Sequence, residues 1–162
     1  MKFLMIITLL MSLISAGFAK DSINPAPAQP MADFTVTLLD GKTFTAKSMR
    51  GKYLVVNYWA TWCRPCIKEM PEFQAIADSR NDVAIIGLAY EDTEESELRA
   101  FLSKLKITFA NSKVDVYGAP PVGASAPKGL PTTYVFDPQG NFLKLFLGPV
   151  TAKEIVASFS AK

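Results

Sequence analysis

Cys63 and Cys66 are the only cysteines in the chain, and they stand two residues apart in the stretch WATWCRPCIKEMPEF, residues 59–73. That spacing serves four chemistries: a structural staple, half of a metal site, a haem attachment point, or a dithiol that makes and breaks disulfides. The rest of the sequence decides among them. There is no histidine anywhere, which excludes imidazole bases, Cys-His nucleophiles and histidine-ligated metals. A structural zinc needs four ligands, usually a second CxxC or a pair of histidines; neither is present, so no metal site is expected. Haem attachment requires CxxCH, and residue 67 is Ile. A staple gains most by closing a long loop, and a bridge across two residues closes almost nothing.

The remaining chemistry is a redox pair, which needs a strand, a short turn and a helix whose first turn holds both thiols. Unpaired amides and the positive dipole end of a helix N-terminus stabilise a thiolate on the first cysteine. The thiolate is the attacking species, so this placement makes Cys63 the nucleophile. Cys66, about one helical turn later on the same side, is placed to resolve the mixed disulfide. Pro65 is tolerated in the first turn, where its missing amide costs nothing, and Arg64 adds positive charge beside the thiolate. Such a dithiol works without any cofactor other than its own disulfide. A one-cysteine peroxidase would not need Cys66 and commonly carries a threonine three residues before its nucleophile; Thr61 is two before Cys63.

The elements that must position this pair are legible around it. The continuous apolar run YLVVNYW, Tyr53 to Trp59, predicts a strand buried on both faces. A helix follows from Cys63 to about Ser79, with Met70, Phe73, Ile76 and Ala77 along its apolar stripe and a kink expected at Pro71. Val83 to Tyr90 is a second buried strand. The acidic run Glu91 to Glu95 reads as the solvated start of a second helix, whose core positions are Leu98, Phe101, Leu102 and Leu105. Ile107 to Ala110 is a short strand. Before all of these, Phe34 to Leu38 and Lys42 to Thr45 form a hairpin with a type I′ turn at Asp40-Gly41. After them come a Gly/Pro-rich loop ending near Lys128, strands Thr132–Phe136 and Asn141–Leu147, and a helix capped by Thr151 that runs to about Ser160. Strands alternating with helices around buried β-runs call for an α/β layered fold with a mixed sheet.

Residues 1–19, MKFLMIITLLMSLISAGFA, have the charged start, apolar stretch and small-x-small site of a secretory signal cleaved after Ala19; the alternative is an uncleaved anchor helix. Residues 20–32 are a Pro/Ala-rich spacer, leaving residues 33–162 as one domain. Either way the domain is expected outside the cytoplasm, in the periplasm, free or tethered to the inner membrane. The formal net charge of +2 gives no footprint for nucleic acid. No heptad run or repeat points to an oligomer, so a monomer is expected.

WATWCRPCIKEMP followed in order by GLPTTYVFDPQG resembles the thioredoxin superfamily, in particular its exported TlpA/ResA/DsbE-like thiol-disulfide oxidoreductases, over roughly Asp33 to Lys162. The resemblance implies a thioredoxin fold: a mixed central sheet flanked by helices, with an added N-terminal β-hairpin. It implies that Cys63 is exposed and Cys66 buried. Pro131 matches the cis-proline that faces the disulfide, with the Leu130 backbone pairing to the substrate chain. Trp59 is expected in the core, and Trp62 is expected to shield the disulfide as part of an apolar docking surface. Asn57 stands where thioredoxins keep a buried acid. Glu69 matches an acid that ResA-like members hold near the cysteines, where it would exchange protons with a thiol; read from the sequence alone it is a surface glutamate like Lys68. Thr132 and Thr133 read as strand residues.

The function this implies is an exported enzyme that reduces protein disulfides, recharged by a membrane electron donor of the DsbD/CcdA type, as in relatives serving cytochrome c maturation. Two alternatives stay open. One is a Cu(I) chaperone for respiratory oxidase assembly, since thiolates suit that soft ion. The other is a disulfide oxidant or isomerase, although the helical insertion usual in broad DsbA-type oxidants is missing. Arg-Pro between the cysteines does not settle the direction.

Overall fold

The computed structural model describes residues 33–121 and 126–160. The expected signal and spacer lie outside these residues, as do residues 122–125 of the Gly/Pro-rich loop. In chain order the elements are β1 (Thr35–Thr37), β2 (Thr43–Thr45), a 3₁₀ turn (Ala46–Met49), β3 (Tyr53–Trp59), α1 (Arg64–Ser79), β4 (Val83–Ala89), α2 (Glu95–Lys104), β5 (Ala110–Lys113), β6 (Thr132–Phe136), β7 (Phe142–Leu147) and α3 (Ala152–Ser158). The described parts of the Gly/Pro-rich loop form neither helix nor strand.

The two uninterrupted apolar runs, β3 and β4, lie side by side in parallel, with Tyr53 opposite Val83 and Trp59 opposite Ala89. They are central in a five-stranded sheet ordered β5-β4-β3-β6-β7. β5 is parallel to β4, and β6 and β7 are antiparallel to their neighbours. Strand alternation then sorts the core. Leu54, Val56 and Tyr58 pack on one face with Ile86, Leu88, Phe136 and the hairpin residues Phe34 and Phe44. Val55 packs on the other with Ile85, Phe73 and Ile76 of α1, and Ile155 of α3. Burying each such side chain contributes about 2 kcal/mol. Asn57 shares the α1 face with Val55, and that places a polar group under the helix carrying the cysteines.

Three local expectations change. The hairpin turn is closed by Leu38 N–H to Lys42 O (2.7 Å) and Gly41 N–H to Leu38 O (2.9 Å). Only Gly41 in this turn has positive φ (82°), whereas a type I′ turn needs two. The result is a three-residue loop that tucks Leu39 into the core, where it is 7% exposed. β5 begins at Ala110, three residues later than expected, because the amides of Thr108 and Phe109 donate to the Gln74 side chain (2.8 and 3.4 Å) and not to a neighbouring strand. α1 runs from Arg64 to Ser79 with Pro71 inside it, as expected. α2 begins at Glu95, so Glu91 lies outside the helix it was expected to open. The final helix is capped as expected: Thr151 and Glu154 form a reciprocal capping box.

Candidate active site

β3 ends at Trp59 and the chain turns through Ala60–Cys63, closed by Cys63 N–H donating to Ala60 O (3.2 Å). Cys63 is the N-cap of α1, and its Sγ accepts a hydrogen bond from Cys66 N–H at 3.3 Å. The sulfur therefore occupies the position where a capping oxygen normally satisfies a free amide. Pro65 sits in the first turn, and the exposed Arg64 lies between the two cysteines. Cys63 and Cys66 are joined as a disulfide with a Cα–Cα distance of 5.3 Å.

The resemblance implied an exposed Cys63, but the residue is 4% exposed, and Cys66 is fully buried. The reason is packing: both cysteines belong to an apolar cluster with Trp59, Ala60, Met70 and Leu98. What reaches solvent is Trp62, which is 68% exposed. Trp59 is buried as expected, its Nε1 donating to Asn111 Oδ1 (3.0 Å). The Leu130–Pro131 peptide bond is cis. β6 follows directly, with Thr132 opposite Tyr58, so Pro131 lies at the same end of the sheet as the cysteine turn. Leu130 packs against the cluster that holds the disulfide. Lys128 is exposed.

Glu69 is not a surface residue. It is 3% exposed and projects from α1 one turn after Cys66. Its Oε1 accepts from Asn57 Nδ2 (2.9 Å) and its Oε2 from Val150 N–H (3.0 Å). Burial pushes its pKa from 4.5 up to about 7, against the opposing effect of those two hydrogen bonds. Asn57 Nδ2 also donates to Thr133 Oγ1 (3.0 Å), while Asn57 Oδ1 is buried with no hydrogen-bond partner among the described residues. Thr133 is thus a strand residue, as expected, and also a member of this polar network. The sequence held no sign of that role, because the contact depends on the β3–β6 register that sets Asn57 opposite Thr133.

A second carboxylate was read differently from the sequence. Glu91, two residues beyond the end of β4, accepts from Thr61 N–H (2.7 Å) and from the Thr61 hydroxyl (2.9 Å). It serves the cysteine turn and not a helix start. Among the described residues, no group of three or more His, Cys, Asp or Glu side chains is gathered for a metal.

A thioredoxin-like sheet presenting a CxxC disulfide at the start of its first long helix defines a thiol-disulfide oxidoreductase. The chain belongs to the AhpC/TSA family, whose model matches residues 27–144. It is 30% identical over 142 residues to the thioredoxin-like protein YneN of Bacillus subtilis (strain 168), covering 85% of this chain and 81% of that protein. It is 29% identical over 147 residues to the thiol-disulfide oxidoreductase ResA of Bacillus anthracis, covering 86% of this chain and 80% of that protein. The fold is similar to that of a DsbF homologue from Corynebacterium diphtheriae, with a TM-score of 0.74 and 22% identity over 83% of this chain and 87% of that one.

Proposed function

We propose that this enzyme works outside the cytoplasm as a reductant of protein disulfides. The observation that carries the proposal is the pairing, on one helix, of an N-capping sulfur at Cys63 with a buried carboxyl at Glu69 whose pKa is about 7. In the reduced enzyme the helix N-terminus and Arg64 favour a Cys63 thiolate. That thiolate attacks one sulfur of the substrate disulfide. A Cys63–substrate bond forms, the substrate bond breaks, and one substrate thiolate leaves. Cys66 then gives its proton to the Glu69 carboxylate and attacks Cys63 Sγ. This forms the Cys63–Cys66 disulfide and frees the second substrate thiol, so two electrons pass to the substrate. A group titrating near neutral pH is suited to accept and return that proton.

Trp62, Leu130 and Pro131 line the approach to the disulfide, with Leu130 offering its backbone to an extended substrate chain. The export pattern of residues 1–19 supports a periplasmic location and recharging by a membrane donor of the DsbD/CcdA type. Apocytochrome c cysteines are one substrate class this reading admits.

The test is the reduction potential of Cys63–Cys66, together with trapping by Cys66→Ser. A potential at or below roughly −230 mV and a Cys66→Ser mixed disulfide with an oxidised protein substrate support the reductant. A potential near roughly −120 mV reverses the direction and makes the protein a disulfide donor. Stoichiometric Cu(I) binding lost in Cys63→Ser, with no disulfide exchange, replaces the enzyme with a copper carrier.

A further inference from the structure

We propose that Glu91 is a positioning residue of the disulfide site: through Thr61 it fixes the turn that carries Trp62 and Cys63, and so sets the rate at which Cys63 exchanges with a disulfide. This rests on the thiol-disulfide reading above.

The turn from Ala60 to Cys63 must deliver two things at once, a sulfur placed over the first amides of α1 and an indole held at the surface. Its own hydrogen bonding is thin. Cys63 N–H donates back to Ala60 O (3.2 Å), and Tyr90 N–H reaches across to Trp59 O (2.8 Å) where β3 ends. The N–H of Thr61, in the middle, finds its acceptor outside the turn. Glu91 supplies it from the bend just after β4: Oε1 takes the Thr61 N–H (2.7 Å) and Oε2 takes the Thr61 hydroxyl (2.9 Å). Both oxygens of one carboxylate therefore hold one residue, from backbone and side chain together. Charge-assisted hydrogen bonds of this kind are roughly twice as strong as neutral ones. The carboxylate is itself anchored, because Tyr90 continues the hydrogen bonding of β4 with β3, and Glu91 is half-buried.

The geometry bears on the exchange step. Attack on a disulfide needs three sulfurs nearly in line, and a displacement of about 1 Å at a reacting group costs up to about 100-fold in rate. Cys63 is two residues from the clamped Thr61, and its Sγ is placed by the N-cap contact to Cys66 N–H (3.3 Å). In the reduced protein the covalent link between the cysteines is gone. The Glu91–Thr61 clamp then keeps Cys63 at the helix terminus and Trp62 beside it.

The experiment compares reduced wild type, Glu91→Ala, Glu91→Gln and Thr61→Val at one temperature and pH. Each is checked for folding by circular dichroism, then reacted with a small aromatic disulfide and with a disulfide-bonded peptide. Gln preserves both contacts, since its carbonyl oxygen accepts the Thr61 N–H and its amide donates to the Thr61 hydroxyl oxygen. The expected result is a loss of about tenfold in second-order rate constant for Glu91→Ala, recovery to within about threefold for Glu91→Gln, and an intermediate value for Thr61→Val, which keeps only the backbone contact. If Glu91→Ala does not fold, the comparison of Thr61→Val with wild type carries the test. A folded Glu91→Ala or Thr61→Val at the wild-type rate overturns the proposal. So does Glu91→Gln as slow as Glu91→Ala, which assigns the effect to charge and not to position. An inert wild type would instead overturn the oxidoreductase reading itself, so the two failures are distinguishable.

Discussion

Replacing Glu69 by Gln should make the enzyme more stable in base than in acid relative to wild type, by an amount that follows from the carboxyl's burial. The Glu69 pKa is raised from 4.5 to about 7 in the folded protein, so the folded state holds this proton more tightly than the unfolded chain does. Below pH 4.5 both states are protonated, and the group's contribution is fully present. Between pH 4.5 and 7 the unfolded chain ionises while the folded protein does not, and stability falls by about 1.4 kcal/mol per pH unit. Above about pH 7 both are ionised and the loss levels off, at about 3 kcal/mol in total. Gln does not titrate. Its carbonyl can keep the Val150 amide, and its NH₂ faces Asn57, whose amide group can turn to accept. The assay is urea unfolding of the oxidised proteins from about pH 4 to about pH 8, with the disulfide intact so that no thiol titrates. The difference in unfolding free energy, variant minus wild type, should rise by about 3 kcal/mol across that window and most steeply between about pH 5 and 7. A pH-independent difference would refute the argument that burial, and not its two hydrogen bonds, governs this carboxyl.

Two further outcomes follow from the packing around the site. Thr151→Ala removes the capping box that starts α3 and should cost about 1 kcal/mol of stability, read as a lower urea midpoint at unchanged slope. Gly87→Ala places a methyl group against the Asn111 side chain and the Trp59 indole nitrogen. It should cost about 1–3 kcal/mol by overpacking, with a change in Trp59 fluorescence that Thr151→Ala does not produce.

The cysteine chemistry was legible from the sequence because it is local. CxxC spacing, the apolar run before it and the helical stripe after it all lie within residues 53–79, and the helix-terminus electrostatics depend on nothing further away. The missing histidine removed rival chemistries without any structure. The hairpin, the buried central strands and the Thr151 cap were likewise readable, since each is a periodicity or a short-range hydrogen-bond pattern. What tertiary structure decided is everything that joins distant residues. A helical wheel sets Glu69 on the apolar side of α1 with Cys66, Met70, Phe73 and Ile76, but it does not say what a carboxyl there would meet. The sheet then brings Asn57 from β3 and the amide of Val150, 81 residues away, onto its two oxygens. Thr133 becomes a partner for Asn57 only through the β3–β6 register. Glu91 looked like one more acid at a helix start, and only the parallel pairing of β3 with β4 carries it to Thr61. The strand β5 slipped because one side chain, Gln74, took the amides a strand would have used. Local sequence determines which groups are able to react and which faces are buried; long-range hydrogen bonding, which no local pattern encodes, determines how those groups are held.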